Sequence, residues 1–366
     1  MEYSAEDRYR IWLSNVSGIG PARFYRLMAE CGSARAVWES LPDLSPALIQ
    51  HLTARTYANM KAARDERRID DMLEKLDRLQ IEAVTTKSPR YPQPLMHIYD
   101  APPVLYLKGR APTNYDRRFG VVGSRHATYN GRRITKEISE LLSENGVSIV
   151  SGMALGVDTE AHRGALAGKT HTVAVLGCGV DVVYPADNRW LYDQILDEGG
   201  LILSELPPGA QPLRRHFPLR NRIISGLCHG VLLVEGAENS GAMITIDYAL
   251  EQNRDVFAVP GAVYSSLSGA PNQLISEGAI PVLSAESILS FYGWAESAAP
   301  RPTRAEVHLD DDEKRVVAEL MDEPLSFDEL IMQTMLPADR LNTLLTMLEL
   351  RQLIQRLPGN RYGVNL

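Results

Sequence analysis

The chain has 366 residues, 45% of them hydrophobic, and carries 38 Lys and Arg against 46 Asp and Glu, a formal net charge of -8. That length exceeds what one hydrophobic core usually serves, so two or three folded domains are expected. Three scattered cysteines (Cys31, Cys178, Cys228), no apolar run of eighteen residues and a start, MEYSAEDRYR, without basic or apolar leader regions argue against a disulfide framework, a zinc site, a membrane span and a signal peptide. A cytoplasmic protein with no metal, no cofactor and no membrane partner is expected.

The first segment reads as helical. Ile11-Trp12-Leu13 leads into Ser17-Gly18-Ile19-Gly20-Pro21, and Phe24, Leu27 and Met28 follow on one face. Pro21 suits a first helical position, Ser45-Pro46 marks another start, and the pattern predicts one long amphipathic helix over about 54–79. This makes residues 1–84 a small all-α domain. Five prolines between 89 and 103 then punctuate an extended stretch.

From Phe119 the pattern changes to short apolar runs at 119–122, 148–150, 172–176, 201–203, 231–234, 256–259 and 280–283. Amphipathic segments, such as 131–144 and 242–252, separate them. Runs that are hydrophobic throughout read as buried parallel strands in βαβ units. The expected fold class is α/β, a Rossmann-like, doubly wound, mostly parallel sheet over 85–295. Such sheets bind ligands at the carboxyl ends of their strands, where loops meet helix N-termini.

Residues 296–305, rich in Ala and Pro, read as a linker. In 306–366, acids near Asp310 favour a helix start, Ser326-Phe-Asp-Glu329 forms a capping box, and Leu341, Leu344, Leu345 and Leu348 share a face. With a hairpin expected around Pro358-Gly359-Asn360, three helices and a β-wing make a winged helix.

Charge is unevenly divided. Residues 1–84 carry 12 basic and 13 acidic groups, 85–304 carry 20 and 21, and 305–366 carry 6 and 12, a net -6 for the last piece. Near-neutrality of the centre leaves room for a local positive groove, because Arg214, Arg215, Arg220 and Arg222 fall within nine residues that contain no acid. The acidic winged helix opposes DNA reading and favours a protein-protein role.

The candidate chemistry lies in the strand-end loops. The first reads Gly123-Ser124-Arg125, not GxGxxG, and the second strand ends in Ser151-Gly152 rather than in a ribose-binding acid, so a dinucleotide is disfavoured. Glycine, serine and arginine together suit a phosphate, with a plain tight turn as the alternative. Asp158 and His162, four apart, share a helical face and are expected to hydrogen-bond and fix their loop; a metal pair is the lesser reading. Arg214, Phe217, Arg220, Asn221 and Arg222 open a helix as a cationic and aromatic constellation for a nucleic acid. The competing reading is that Phe217 is core and Arg222 an ion-pair partner of Glu205 or Glu235. Ser240, Gly241 and Thr245 stand near another amide-rich helix start.

Together GSR, SGMALGVDTEAHRGAL, YPADN, SEL, FPLRNRIISGL, EGAENSGAMIT, VFAVPG and LISEGA resemble, in order, the DNA-processing protein A (DprA/Smf) family, over about 91–279. The resemblance implies a SAM-like fold for residues 1–84 and a non-catalytic, homodimeric protein that binds and shields incoming single-stranded DNA in natural transformation. It also implies loading of RecA despite single-strand-binding protein. It places the family's phosphate-contacting arginine at Arg125 and its base-contacting phenylalanine at Phe217. A basic residue, lysine in some relatives, becomes Arg214, which keeps the charge and changes the geometry. Gly18 and Gly20 resemble a helix-hairpin-helix turn able to hold a phosphate, or simply a tight turn. The rivals are a nucleotide phosphoribohydrolase-like enzyme of the same superfamily, whose PGGxGTxxE motif is replaced here by EGAENSGAMIT, and a sequence-specific regulator.

Overall fold

The computed structural model describes residues 3–44, 46–113, 116–295, 309–351, 353–357 and 359–364. The chain divides into two compact units, Met1–Ala127 with Ile134–Trp294, and Thr128–Arg133 with Ala295–Leu366. The linker expected over 296–305 lies outside the described residues, as do Ser45 and Pro358.

In the first unit the helices are α1 (Ala5–Asn15), α2 (Pro21–Cys31), α3 (Ala34–Ser40), α4 (Pro46–His51), α5 (Ala54–Ala63) and α6 (Glu66–Arg78). Ser4, Ser33 and Thr53 cap α1, α3 and α5 through their hydroxyls, and Pro21 occupies the first turn of α2, where its missing N–H costs nothing. The single helix predicted over 54–79 is broken. Arg64 leaves helical geometry at ψ 80, and Asp65 caps the next helix by accepting from the Arg67 amide at 3.0 Å. Local capping by a short acid outweighs continuity of the amphipathic pattern.

Trp12, Leu13, Phe24, Leu27 and Trp38 form the helical core, with Trp12 edge-on to Trp38 at 4.8 Å. Ile11 and Leu76 instead join a core with Ile81, Tyr106, Ala174 and Ile202 of the sheet. The helical segment is therefore packed onto the α/β part within one unit. The boundary expected at 84/85 falls inside a strand, β1 (Glu82–Thr85).

The sheet also contains β2 (Val104–Gly109), β3 (Arg118–Val122), β4 (Ser148–Ser151), β5 (Thr172–Val175), β6 (Leu201–Ser204), β7 (Gly230–Leu233), β8 (Asp255–Ala258) and β9 (Ile280–Pro281). Its order is β1-β2-β6-β5-β4-β3-β7-β8-β9. Every pairing from β6 to β9 is parallel, while β1 pairs with β2 and β2 with β6 antiparallel. Those two antiparallel strands, β1 and β2, were not anticipated. They flank a proline-rich stretch that masks their short apolar pattern.

Helices α7 (Tyr129–Glu144), α8 (Val157–Ala167), α9 (Arg189–Asp197), α10 (His216–Leu227), α11 (Gly241–Glu251), α12 (Gly269–Ser276) and α13 (Ala285–Tyr292) cover the sheet. On one face Val122, Val150 and Leu203 pack with Ile223, Leu227 and Ile246; on the other Phe119, Val121 and Ile149 pack with Ile138, Val157 and Ile288. Burial on both faces explains why the strands are apolar throughout.

The second unit contains α14 (Asp311–Asp322), β10 (Leu325–Ser326), α15 (Phe327–Thr334), α16 (Ala338–Leu350), β11 (Ile354–Leu357) and β12 (Arg361–Val364), with sheet order β10-β12-β11. This is a winged helix. Capping boxes join Asp310 to Glu313 and Ser326 to Glu329, and the four predicted leucines of α16 are all buried. Gly359 and Asn360, at φ 81 and 60, supply the left-handed turn of the wing. Three of its arginines pair with acids of the unit: Arg340 with Asp310 and Asp312, Arg351 with Glu313, Arg361 with Glu329.

Candidate functional site

Strand order reverses at β3: β4, β5 and β6 lie to one side, β7, β8 and β9 to the other. The loops leaving β3 and β7 thus bound the crevice where doubly wound sheets take ligands. They are fastened to each other and to α8. The Ser124 amide donates to the Glu235 carbonyl at 2.7 Å, and the Val157 amide donates to the Ser124 carbonyl at 3.1 Å.

Steric crowding explains two of the glycines. A Cβ on Gly123 would lie 2.6 Å from Val157 Cγ2, and one on Gly156, already at φ +77, would lie 2.3 Å from the Ser124 oxygen. Gly123 is thus a packing requirement. The Ser124 hydroxyl accepts from the His126 amide at 3.1 Å and so also shapes the turn. Arg125 alone of the three residues projects its side chain to solvent. Its guanidinium carbon lies 5.9 Å from the centre of the Phe217 ring.

Phe217 is half-buried at the start of α10 and rests on the loop after β5, where a Cβ on Gly177 would come within 2.8 Å of its ring. Tyr184 lies beside it, ring centres 5.4 Å apart and planes tilted by 37°. In the sequence Tyr184 stands only within the YPADN motif, which does not mark it as a neighbour of Phe217. Its aromatic character was the one available signal. Arg214 and Arg215 are exposed immediately before α10.

The other cations of that run do not reach the surface. Arg220 is 6% exposed; its Nη1 donates to the Gly152 carbonyl at 2.8 Å and also to the Val175 carbonyl. Burial lowers its pKa to about 10, opposed by the charge of Asp158. A Cβ on Gly152 would lie 2.5 Å from that guanidinium. Asn221 donates to the Gly241 carbonyl at 3.2 Å, tying α10 to α11. Arg222 is 2% exposed between Glu205 and Asp100, each at 2.6 Å. Expected ligand contacts from Gly152, Arg220, Asn221 and Arg222 are therefore corrected to a buried scaffold. The reason is that α10 runs back across the strand ends, and buried guanidiniums persist only when carbonyls or carboxylates satisfy them.

Asp158 and His162 do not pair. The Asp158 carboxylate accepts from the Gly152 and Ala154 amides at 3.1 and 3.2 Å, holding Met153 at φ 63. Burial pushes its pKa up, and Arg220 and those amides pull it down. His162 bonds through Nδ1 to the Thr172 hydroxyl at 2.7 Å. Burial, with the Arg220 charge, drives its pKa down to about 3, so it stays neutral. Asp158 fixes the loop, while His162 ties α8 to β5. The buried thiols of Cys178 and Cys228 are pushed up by burial to about 11 and about 12.

On the far side of the crevice Ser240 stands at the N-cap of α11, its hydroxyl making no hydrogen bond among the described residues. Nothing lies within 4 Å of where a Gly241 Cβ would be, so the side-chain position of Gly241 opens to solvent. Thr245 is 2% exposed and belongs to the helix interior, a further correction. In the helical segment Gly18, at φ +96, abuts the Thr56 hydroxyl, and its carbonyl accepts from Arg23 at 2.7 Å; Gly20 precedes α2 with open space around it. Gly18 is thus fixed by conformation, and Gly20 remains accessible.

The surface that results combines three exposed arginines, two adjoining aromatic rings and the start of α11 at the carboxyl ends of the strands. Guanidiniums and helix amides attract phosphates, and rings accept bases by stacking.

The sequence profile described as "DNA recombination-mediator protein A" matches residues 82–293. Profiles described as "DprA-like N-terminal HHH domain" and "DprA winged helix domain" match 4–67 and 300–360. Protein Smf of Synechocystis sp. is 32% identical over 98% of this chain and 99% of its own. The DNA processing protein DprA of Streptococcus pneumoniae is 46% identical over 55% of this chain and 70% of its own. The crystal structure of that S. pneumoniae protein superposes with a TM-score of 0.66 at 33% identity, covering 79% of this chain and 98% of that one. A DNA processing protein A from Helicobacter pylori, whose structure is described as giving insight into a single-stranded DNA binding mode, superposes with a TM-score of 0.53 at 26% identity, over 58% and 95%. On these matches the chain belongs to the DNA recombination-mediator protein A (DprA/Smf) family.

Proposed function

We propose that this protein is a cytoplasmic, non-enzymatic single-stranded DNA-binding mediator acting in natural transformation. It shields incoming DNA as a homodimer and loads RecA in the presence of single-strand-binding protein. The observation that carries the DNA reading is the exposed Arg125 guanidinium over the half-buried Phe217 ring at the switch-point crevice. A phosphate can sit on the cation while the adjacent base stacks on Phe217 or Tyr184. Duplex DNA keeps its bases stacked inside, so a site built on aromatic faces favours single strands.

The most strongly perturbed titratable groups in the crevice floor support a non-enzymatic role. His162, Asp158, Cys178 and Arg220 are buried and engaged with backbone or hydroxyl partners, which is scaffold chemistry. Engagement of Arg340, Arg351 and Arg361 with acids of their own unit, beside a net -6, supports protein docking for that module.

Affinity for oligo-dT, followed by fluorescence anisotropy across a salt series, tests the reading. A logarithmic slope of about -0.7 per phosphate contacted is expected. Salt-independent binding, or equal affinity for a duplex of the same length, would overturn it.

A further inference from the structure

We propose a second nucleotide subsite of the same single strand, in the cavity bounded by α2, α4 and residues 99–100; the inference rests on the DNA reading above. The cavity measures about 490 Å³, and its walls include Arg23, Tyr25, Arg26, His51, Tyr99 and Asp100. A volume of several hundred Å³ suits a ligand of nucleotide size.

Its chemistry differs from that of an ordinary crevice. Arg23 and Arg26, three residues apart on α2, fall on neighbouring positions of one helix surface. Arg26, His51 and Tyr99 are exposed, and Tyr99 is fully so, an unusual placement for a large ring. Asp100, the acidic wall residue, shares the buried Arg222 with Glu205, each at 2.6 Å. Beside the arginines and tyrosines the walls include Ala22, Leu27, Leu48 and Leu52, so cations meet aromatic and apolar surface, the pairing that takes phosphate and base together.

The cavity also lies on a path from the crevice. Phe217 and Arg222 sit five residues apart on α10, about 7.5 Å along its axis, and Arg222 bonds directly to Asp100 of the cavity wall. The start of α10, which carries Phe217, and the cavity wall at Asp100 are thus linked through one short stretch of the same helix. The helical segment thus lengthens the DNA track instead of merely supporting the sheet.

The test uses the full chain with oligo-dT from about 4 to about 16 nucleotides, the range of site sizes typical of such grooves. Arg26→Glu and Tyr99→Ala are the variants of choice, since both side chains are exposed and their loss leaves the Arg23 bond to Gly18 intact. Each is expected to weaken the longest oligomer about fivefold or more, as loss of one stacked base does, while leaving the shortest unchanged. Arg26→Glu should also flatten the salt slope by about 0.7 on the longest oligomer. Wild-type affinity of both variants at every length, with Arg125→Glu still abolishing binding, overturns the second subsite and leaves the crevice reading standing. If Arg125→Glu also binds normally, the crevice reading fails as well.

Discussion

Arg220 lies against Gly152, its Nη1 donating to the Gly152 carbonyl at 2.8 Å where any Cβ would come within 2.5 Å of the guanidinium. An arginine from the nucleic-acid-like run and a glycine from a candidate anion loop are thus each other's reason for being there. Arg220→Met should leave two strand-end carbonyls and Asp158 without their cation, destabilising the fold by about 3–5 kcal/mol. Urea denaturation should show a lowered midpoint. An unchanged midpoint would mean that the guanidinium is dispensable to the scaffold.

Gly156 offers a sharper steric case. At φ +77, with the Ser124 oxygen 2.3 Å from a would-be Cβ, Gly156→Ala should displace the 123–125 loop and cost about 1–3 kcal/mol. It should also weaken DNA binding, although residue 156 contributes no side chain to the crevice. Thermal melting and anisotropy measured on the same sample separate the two effects.

His162 predicts an acid limb of stability. Its folded pKa of about 3 lies below the usual 6.5, so the unfolded chain takes up a proton first as pH falls. The contribution is present above pH 6.5 and is lost between 6.5 and 3, at up to about 1.4 kcal/mol per pH unit. The raised Asp158 pKa acts in the opposite sense, favouring the folded state as pH falls towards the ordinary carboxylate range. His162→Gln should flatten the decline from pH 6.5 to 5, as read from denaturation at each pH. A parallel decline in the variant would assign it to other groups.

Removing residues 305–366 should leave oligo-dT affinity within about twofold of the full chain, because the unit's net charge of -6 gives phosphates little attraction. A gel-shift comparison checks this. A large loss would place DNA contacts on the winged helix.

The parallel strands, the Ser326–Glu329 capping box and the leucine face of α16 were legible because each is a local pattern. The division of labour within Arg214–Arg222 was not. Arg222 is held by Glu205 and by Asp100, 122 residues upstream, and no periodicity in the run distinguishes it from exposed Arg214 or Arg215. Asp158 and His162 have helical spacing that suggests a mutual bond, yet backbone amides and Thr172 claim them separately. Strands β1 and β2 escaped notice because they join the sheet through long-range antiparallel pairing beside prolines. Tyr184 became part of the site only when folding brought it beside Phe217.

The central claim rests on Arg125, exposed over Phe217. The direct measurement is the affinity of Arg125→Glu for oligo-dT, taken alongside its thermal melt. Because the side chain is exposed, the melting temperature should remain that of the wild type. Affinity should fall at least tenfold, on the order of the 1.4 kcal/mol or more that a charge-assisted phosphate contact supplies. A folded Arg125→Glu protein that binds oligo-dT as tightly as the wild type would contradict the account.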